Sequence, residues 1–258
     1  MTAVYDGGHS FLAEARASLE RQVLPPGWAL EWLVQEDGLT GEPLRALPDA
    51  PWISKGSCRT GGAAVARTVA LSRATGDIVR ALDADDLLTP GALSRDISAL
   101  ARARTEWCIS SCLDLLPDGS LLPGPYDPQE GPLEFRELMA GFTADLFPVV
   151  GTHLAVRTGL LHALGGWPAL PAWETIALVL RCAAVAPGWM ISEPGGIYRK
   201  HPEQTTARSE YGGTTDFAAL KSLITHQALA CAAPPWAPGE ERHSPVTEPR
   251  TPPPPPHR

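Results

Sequence analysis

Apolar and polar positions change their spacing along the chain, and the changes mark out the elements. Residues 2–6, Thr2-Ala3-Val4-Tyr5-Asp6, read as a short strand, followed by a Gly7-Gly8 turn with Ser10 as a helix N-cap. Phe11, Leu12, Ala15 and Leu19 then recur at helical spacing, and Pro25-Pro26 ends that helix because proline cannot continue it. Residues 28–34 predict a second strand, left through the acidic turn Gln35-Glu36-Asp37-Gly38. A proline-rich stretch without a clear period follows. Arg59-Thr60-Gly61-Gly62 then leads into a helix predicted over residues 63–74, with Gly76 as its stop. Next comes Arg80-Ala81-Leu82-Asp83-Ala84-Asp85-Asp86, an apolar-rich run that reads as a buried strand ending in three carboxylates.

The second half continues in the same manner. Thr89-Pro90 starts a helix through residue 103, residues 107–113 read as a strand, and Pro117-Asp118-Gly119 turns it. Residues 123–132 are dense in Pro, Gly and Asp and mark a loop or a change of subregion. A short helix over 133–140, a strand over 146–156 and a helix over 157–164 precede Gly165-Gly166-Trp167. Ile176, Leu178, Val179, Leu180 and Val185 predict a largely buried helix over 174–186, stopped by Pro187-Gly188. Residues 189–192 and 196–199 read as two late strands, and 217–230 as the last helix. From Pro234 onward the Pro-rich tail, residues 234–258, is expected to be disordered or polyproline-like. Strand, helix, strand in succession is the order of a mostly parallel α/β sheet flanked by helices, and there is no internal repeat.

Composition narrows the class. With 258 residues and 44% hydrophobic content the chain can bury a substantial core. Its formal net charge of −8, with no basic patch to offset it, argues against nucleic acid as a partner. No run reaches the length of a membrane span, and no basic segment followed by an apolar one stands at the N-terminus, so no transmembrane segment, anchor or signal peptide is expected and the cytoplasm is the expected compartment. The 5 cysteines are odd in number and irregular in spacing, unlike a disulfide framework. Cys108 and Cys112 lack the second pair that a zinc site would need and read instead as small buried thiols on a strand.

Chemistry is concentrated at Asp83-Ala84-Asp85-Asp86. If the backbone is extended there, Asp83 and Asp85 point to one side and Asp86 to the other. Two carboxylates on one side suit a hard divalent cation, Mn2+ or Mg2+, which takes one or two carboxylates together with substrate phosphate oxygens; a nucleoside diphosphate carried on that cation is the natural occupant. On these residues alone a solvated acidic turn ahead of the next helix stands level with the metal reading. His201 is a candidate ligand to the metal or the diphosphate, since neutral imidazole binds divalent ions. His153 is taken as pocket-lining.

In this order the motifs resemble those of the family-2 nucleotide-sugar glycosyltransferases, which have the GT-A fold. The resemblance runs over roughly residues 4–206. Tyr5-Asp6-Gly7-Gly8 with Phe11-Leu12 is similar to the family's opening strand and helix, and Glu36-Asp37-Gly38 stands where the family has an Asp-Asp-Gly turn. Ala66-Arg67-Thr68 and Ala74-Thr75-Gly76-Asp77 resemble its Ala-Arg-Asn helix and that helix's ending, and Asp83-Ala84-Asp85-Asp86 its DxD-type metal motif. Gly165-Gly166-Trp167 with Glu174 and Arg181 resembles the acceptor-side signature, and Tyr198-Arg199-Lys200-His201 the closing Tyr-Arg-x-His segment.

The resemblance implies one GT-A domain over residues 1–233, with a nucleotide-sugar-binding half (1–114) and an acceptor half (115–233). It implies inverting, metal-dependent transfer of a sugar from a nucleoside diphosphate donor to an acceptor that the sequence does not name. Asp85 and His201 would hold the metal. Tyr5, Glu36, Arg67 and Asp83 would bind the donor, with Glu36 facing nucleobase and ribose. Trp173 and His153 would lie on the acceptor side. Thr175 occupies the place where the family has its general-base aspartate, and Glu174, one residue earlier, is the expected substitute. That departure keeps a second reading open, a catalytically silent nucleotide-sugar binder. A nucleotidyltransferase is the remaining alternative, but Asp6-Gly7-Gly8-His9 does not supply the glycine-rich basic loop it normally carries.

Overall fold

Three parallel strands open the sheet. In the computed structural model, which describes residues 1–102, 104–124, 128–204 and 216–233, strand β1 (Thr2–Val4) pairs with β2 (Trp32–Asp37), and β2 with β3 (Ile53–Cys58). On the free side of β1 the Met1 nitrogen donates to the Arg80 carbonyl (2.8 Å) and Leu82 N–H to the Met1 carbonyl (3.1 Å), the alternation of a parallel pair, which carries the sheet on into β4 (Ile78–Arg80). Beyond β4 lie β9 (Leu154–Arg157), β6 (Trp107–Leu115), β10 (Gly188–Arg199) and β5 (Leu87–Leu88); β9 is antiparallel to both of its neighbours, and β6 and β10 run parallel. β7 (Leu121–Pro123) lies on β6 and β8 (Gly131–Leu133) on β10.

Strand parity sorts the core onto two faces. Trp32 and Val34 of β2 pack with Leu12, Ala15 and Leu19 of α1 (Leu12–Glu20) and with Ala92 and Leu93 of α4 (Ala92–Leu100). Leu33, between them, faces the other cluster, as do Val79, Trp107 and Ile109; that cluster takes in α3 (Ala63–Leu71), α5 (Phe135–Thr143), α6 (Thr158–Ala163), α7 (Glu174–Val185) and α8 (Phe217–Ala232). Leu178, Val179 and Leu180 of α7 are fully buried, so this helix is apolar nearly all round, and its first residue, Glu174, reaches the cleft at the strand ends. The one-turn α2 (Glu42–Arg45) follows β2. Among the described residues no helix is long and apolar enough to cross a membrane.

Several expectations need correcting. The second strand is not residues 28–34 but Trp32–Asp37, because its later positions are polar yet buried: Gln35 accepts from Arg73 (2.7 Å), and Glu36 is satisfied by the following turn. β3 lies in the proline-rich stretch where no element was expected; it is an edge strand with only Ile53 in the core. Residues 146–156 are not one strand; a 3-10 turn, Gly151–His153, precedes β9. The two late strands are one, β10, with a register shift between Ile191 and Gly196. The Asp83 segment is not extended. After Leu82 the chain turns, Asp86 N–H donating to the Asp83 carbonyl at 3.2 Å. All 5 cysteines are free, and Cys108 and Cys112 are buried, as thiols on a core strand should be. The expected tail over 234–258 lies outside the described residues.

Candidate active site

A cleft of about 1090 Å³ opens at the C-terminal ends of β1, β2, β4, β6 and β10, where open α/β sheets place their ligands. Tyr5 lines it directly after β1. Gly8 lets the Tyr5 ring close down on the turn, since a Cβ there would stand 2.8 Å from the ring edge. Asp83 and Asp85 both line the cleft, whereas Asp86 is buried beside it and accepts from Arg199 N–H at 3.0 Å. Burial, then the charges of Asp83 and Asp85, push the Asp86 carboxyl well above the usual range.

Two pairings organise the floor. Asp85 Oδ2 lies 3.0 Å from His201 Nε2, which unites the two residues expected to hold a metal across 116 positions of chain. Arg67, nearly fully buried on α3, gives Nη2 to Asp83 and Nη1 to Glu174 Oε1 (3.1 Å). Burial raises the Asp83 carboxyl above its ordinary value, with Arg67 pulling it back. Glu174 and Thr175 both line the cleft at the start of α7. Trp173, immediately before, also lines it; its φ of 59° turns the chain into the helix, and its ring packs on Phe142 (5.7 Å) and Phe217 (4.7 Å).

Two expected site residues lie elsewhere. Glu36 does not face the cleft. Strand alternation points it away, and its carboxylate accepts from Thr40 N–H (2.8 Å), Thr40 Oγ1 (2.7 Å) and Gly41 N–H (3.0 Å), which leaves it a turn-closing group. The neighbouring Asp37 lines the cleft instead, its carboxylate receiving Gly61 N–H (2.7 Å) and Gly62 N–H (3.1 Å). Parity does not separate the two in sequence, because the apolar residues Trp32, Leu33 and Val34 fall on both faces of β2. His153 is buried in the sheet against Gly196, where a Cβ would stand 2.1 Å from its ring, and the preceding Gly151 and Thr152 take its place on the wall. Burial and the Arg80 guanidinium hold its pKa down at about 3, so it is neutral.

Among the described residues no three His, Cys, Asp or Glu side chains converge as a ready-made metal cage. The Asp85 and His201 pair, with Asp83 nearby in the cleft, nevertheless fits an ion that completes its shell with diphosphate oxygens and water. Lys200, paired with Asp114 at 3.2 Å, adds a further cation to the wall.

No protein-family model matches the chain, and no curated protein matches its sequence. Solved structures do. S. aureus TarS residues 1–349 in complex with UDP-GlcNAc aligns with a TM-score of 0.66 at 16% identity, over 89% of this chain and 70% of that one. The same fragment in complex with UDP gives 0.63 at 17% identity over 89% and 69%, and TarS itself 0.62 at 17% over 88% and 42%. Identity this low speaks for architecture and not for activity. The architecture is the GT-A glycosyltransferase fold.

Proposed function

We propose that the protein is a metal-dependent, inverting glycosyltransferase that moves a sugar from a nucleoside diphosphate donor to an acceptor hydroxyl. The observation that carries this reading is the convergence of Asp83, Asp85, His201, Arg67 and Glu174 on one large cleft at the strand ends. Asp85 and His201 would hold a divalent cation whose charge offsets that developing on the leaving diphosphate. Tyr5 and Asp37, which line the same cleft, would contact the nucleoside. The acceptor oxygen bonds to the anomeric carbon as the bond from that carbon to the phosphate oxygen breaks, the electron pair leaving with the diphosphate and the acceptor proton passing to a carboxylate. Glu174 is the carboxylate we assign; its ion pair with Arg67 holds it on the cleft wall. UDP sugars are the first donors to try, given the ligands bound to TarS.

A second reading rests on Thr175 and on the Arg67 pair. A hydroxyl has no accessible anion near neutral pH, and Arg67 already occupies Glu174 Oε1, so a protein that binds donors without turning them over is the alternative. Incubation with a panel of nucleotide sugars and Mn2+, following release of nucleoside diphosphate, separates the two. Release, accelerated by an acceptor, supports the enzyme. Metal-dependent donor binding with no release supports the silent binder.

A further inference from the structure

Arg199 does not line the cleft but is tied to the acidic turn that does. From the end of β10 its backbone N–H donates to Asp86 Oδ1 (3.0 Å) and its Nε to the Asp85 carbonyl (2.9 Å), so one residue grips two consecutive positions of the acidic turn. Its Nη2 reaches Glu14 Oε2 on α1 at 2.8 Å, and the guanidinium lies over the Phe11 ring at 4.4 Å. The Phe11 ring also lies against the His201 ring, 5.1 Å away between centroids. The Asp85 turn, the His201 segment and the start of α1 therefore meet at one guanidinium.

We infer that Arg199 is a positioning residue that sets the spacing between Asp85 and His201 and so makes that pair a cation site. The inference rests on the metal reading given above. The turn at Asp83 to Asp86 has little regular structure of its own to hold it, and the carboxylate and imidazole of the pair come from positions 116 residues apart. A planar fork with several fixed donors can hold a backbone carbonyl and a carboxylate at once, which the single ammonium of a lysine does poorly. Glu14 is more than half exposed, so its charge-assisted bond contributes little to stability and serves to aim the guanidinium.

The test uses Mn2+ alone with the full chain. Affinity is read by electron paramagnetic resonance, ligation by the nitrogen coupling that an imidazole ligand imprints on bound Mn2+, and folding by thermal melting. Wild type should bind Mn2+ with a nitrogen coupling that His201→Ala removes. Arg199→Met should lose about 10–100-fold in affinity, the range for residues that orient metal ligands, and lose the coupling. Arg199→Lys should fall between. Should Arg199→Met fail to fold, Arg199→Lys and Glu14→Gln carry the same comparison with smaller losses. Wild-type affinity and coupling in the folded Arg199 variants would overturn the positioning role while leaving the metal reading intact. No Mn2+ binding by wild type would overturn the metal reading and the role of Arg199 with it.

Discussion

Arg67 on α3 donates to Glu174 at the start of α7 across 3.1 Å, and its other terminal nitrogen holds Asp83. One buried cation thus joins the acidic turn after β4 to the acid nearest the expected base position. Burial alone would pull the Arg67 pKa down, but Asp83 and Glu174 more than offset it and hold the guanidinium charged. Removing either carboxylate leaves that charge short of a partner.

Glu174→Gln keeps the shape and the Arg67 contact while removing the base. In the proposed reaction turnover should fall by about 10²–10⁴-fold with donor affinity little changed, as measured by diphosphate release and calorimetry. Thr175→Asp restores an acid where the family resemblance places one. If Glu174→Gln kept full turnover and Thr175→Asp raised it strongly, Glu174 would be structural and the native protein a weakened member of its fold class.

Asp85→Asn should abolish most metal-dependent donor binding, because the amide cannot balance the cation and its carboxamide oxygen is a weaker ligand. Calorimetry with a UDP sugar, with and without Mn2+, reads this directly. Equal and metal-insensitive affinity in both proteins would remove Asp85 from the site.

The α/β class and most helices were legible because their apolar periods are undisturbed. α7 is an example, with Leu178, Val179 and Leu180 fully buried where the pattern placed them. What escaped reading was polarity satisfied at a distance. Gln35 and Glu36 look like loop residues until Arg73 and the Thr40-Gly41 turn are seen to satisfy them. At the site, Asp85, His201, Arg67, Asp83, Tyr5, Trp173 and Glu174 were named from motif order, and all line the cleft except His201, which enters through its bond to Asp85. The Arg67 bridge between Asp83 and Glu174 had no sequence signal, since contacts 16 and 107 residues apart are set by packing alone.

Gly188→Ala should destabilise the fold. A Cβ there would lie 2.1 Å from the Trp107 ring, which is fully buried and pinned by its Nε1 bond to the Ala186 carbonyl (3.0 Å). Overpacking of this kind costs about 1–3 kcal/mol, read as a lowered midpoint in urea. Gly159→Ala, in α6 with nothing within 4 Å, is the control and should be neutral or stabilising by about 0.4–1 kcal/mol. Equal effects of the two substitutions would show that the start of β10 relaxes around Trp107.

His153 should make the protein acid-sensitive in a defined window. Its pKa is held at about 3 by burial and by the Arg80 guanidinium, against the ordinary value of 6.5 in an unfolded chain. Between those values the unfolded state carries a proton on this residue that the native state refuses. Stability therefore rises with pH across the window, is fully present above 6.5, and is lost as pH falls toward 3, by up to about 1.4 kcal/mol per pH unit for one proton. Asp86 and Asp96, whose carboxyls are raised by burial, contribute with the opposite sign, so wild type alone does not isolate the effect. Comparison with His153→Gln does, because both proteins share every other group. The variant gives up packing against Gly196 and should be less stable at pH 7, yet its stability should fall less steeply between pH 6 and pH 4. Urea unfolding at each pH gives both slopes, and parallel slopes would mean that the His153 ring is protonated in the folded protein.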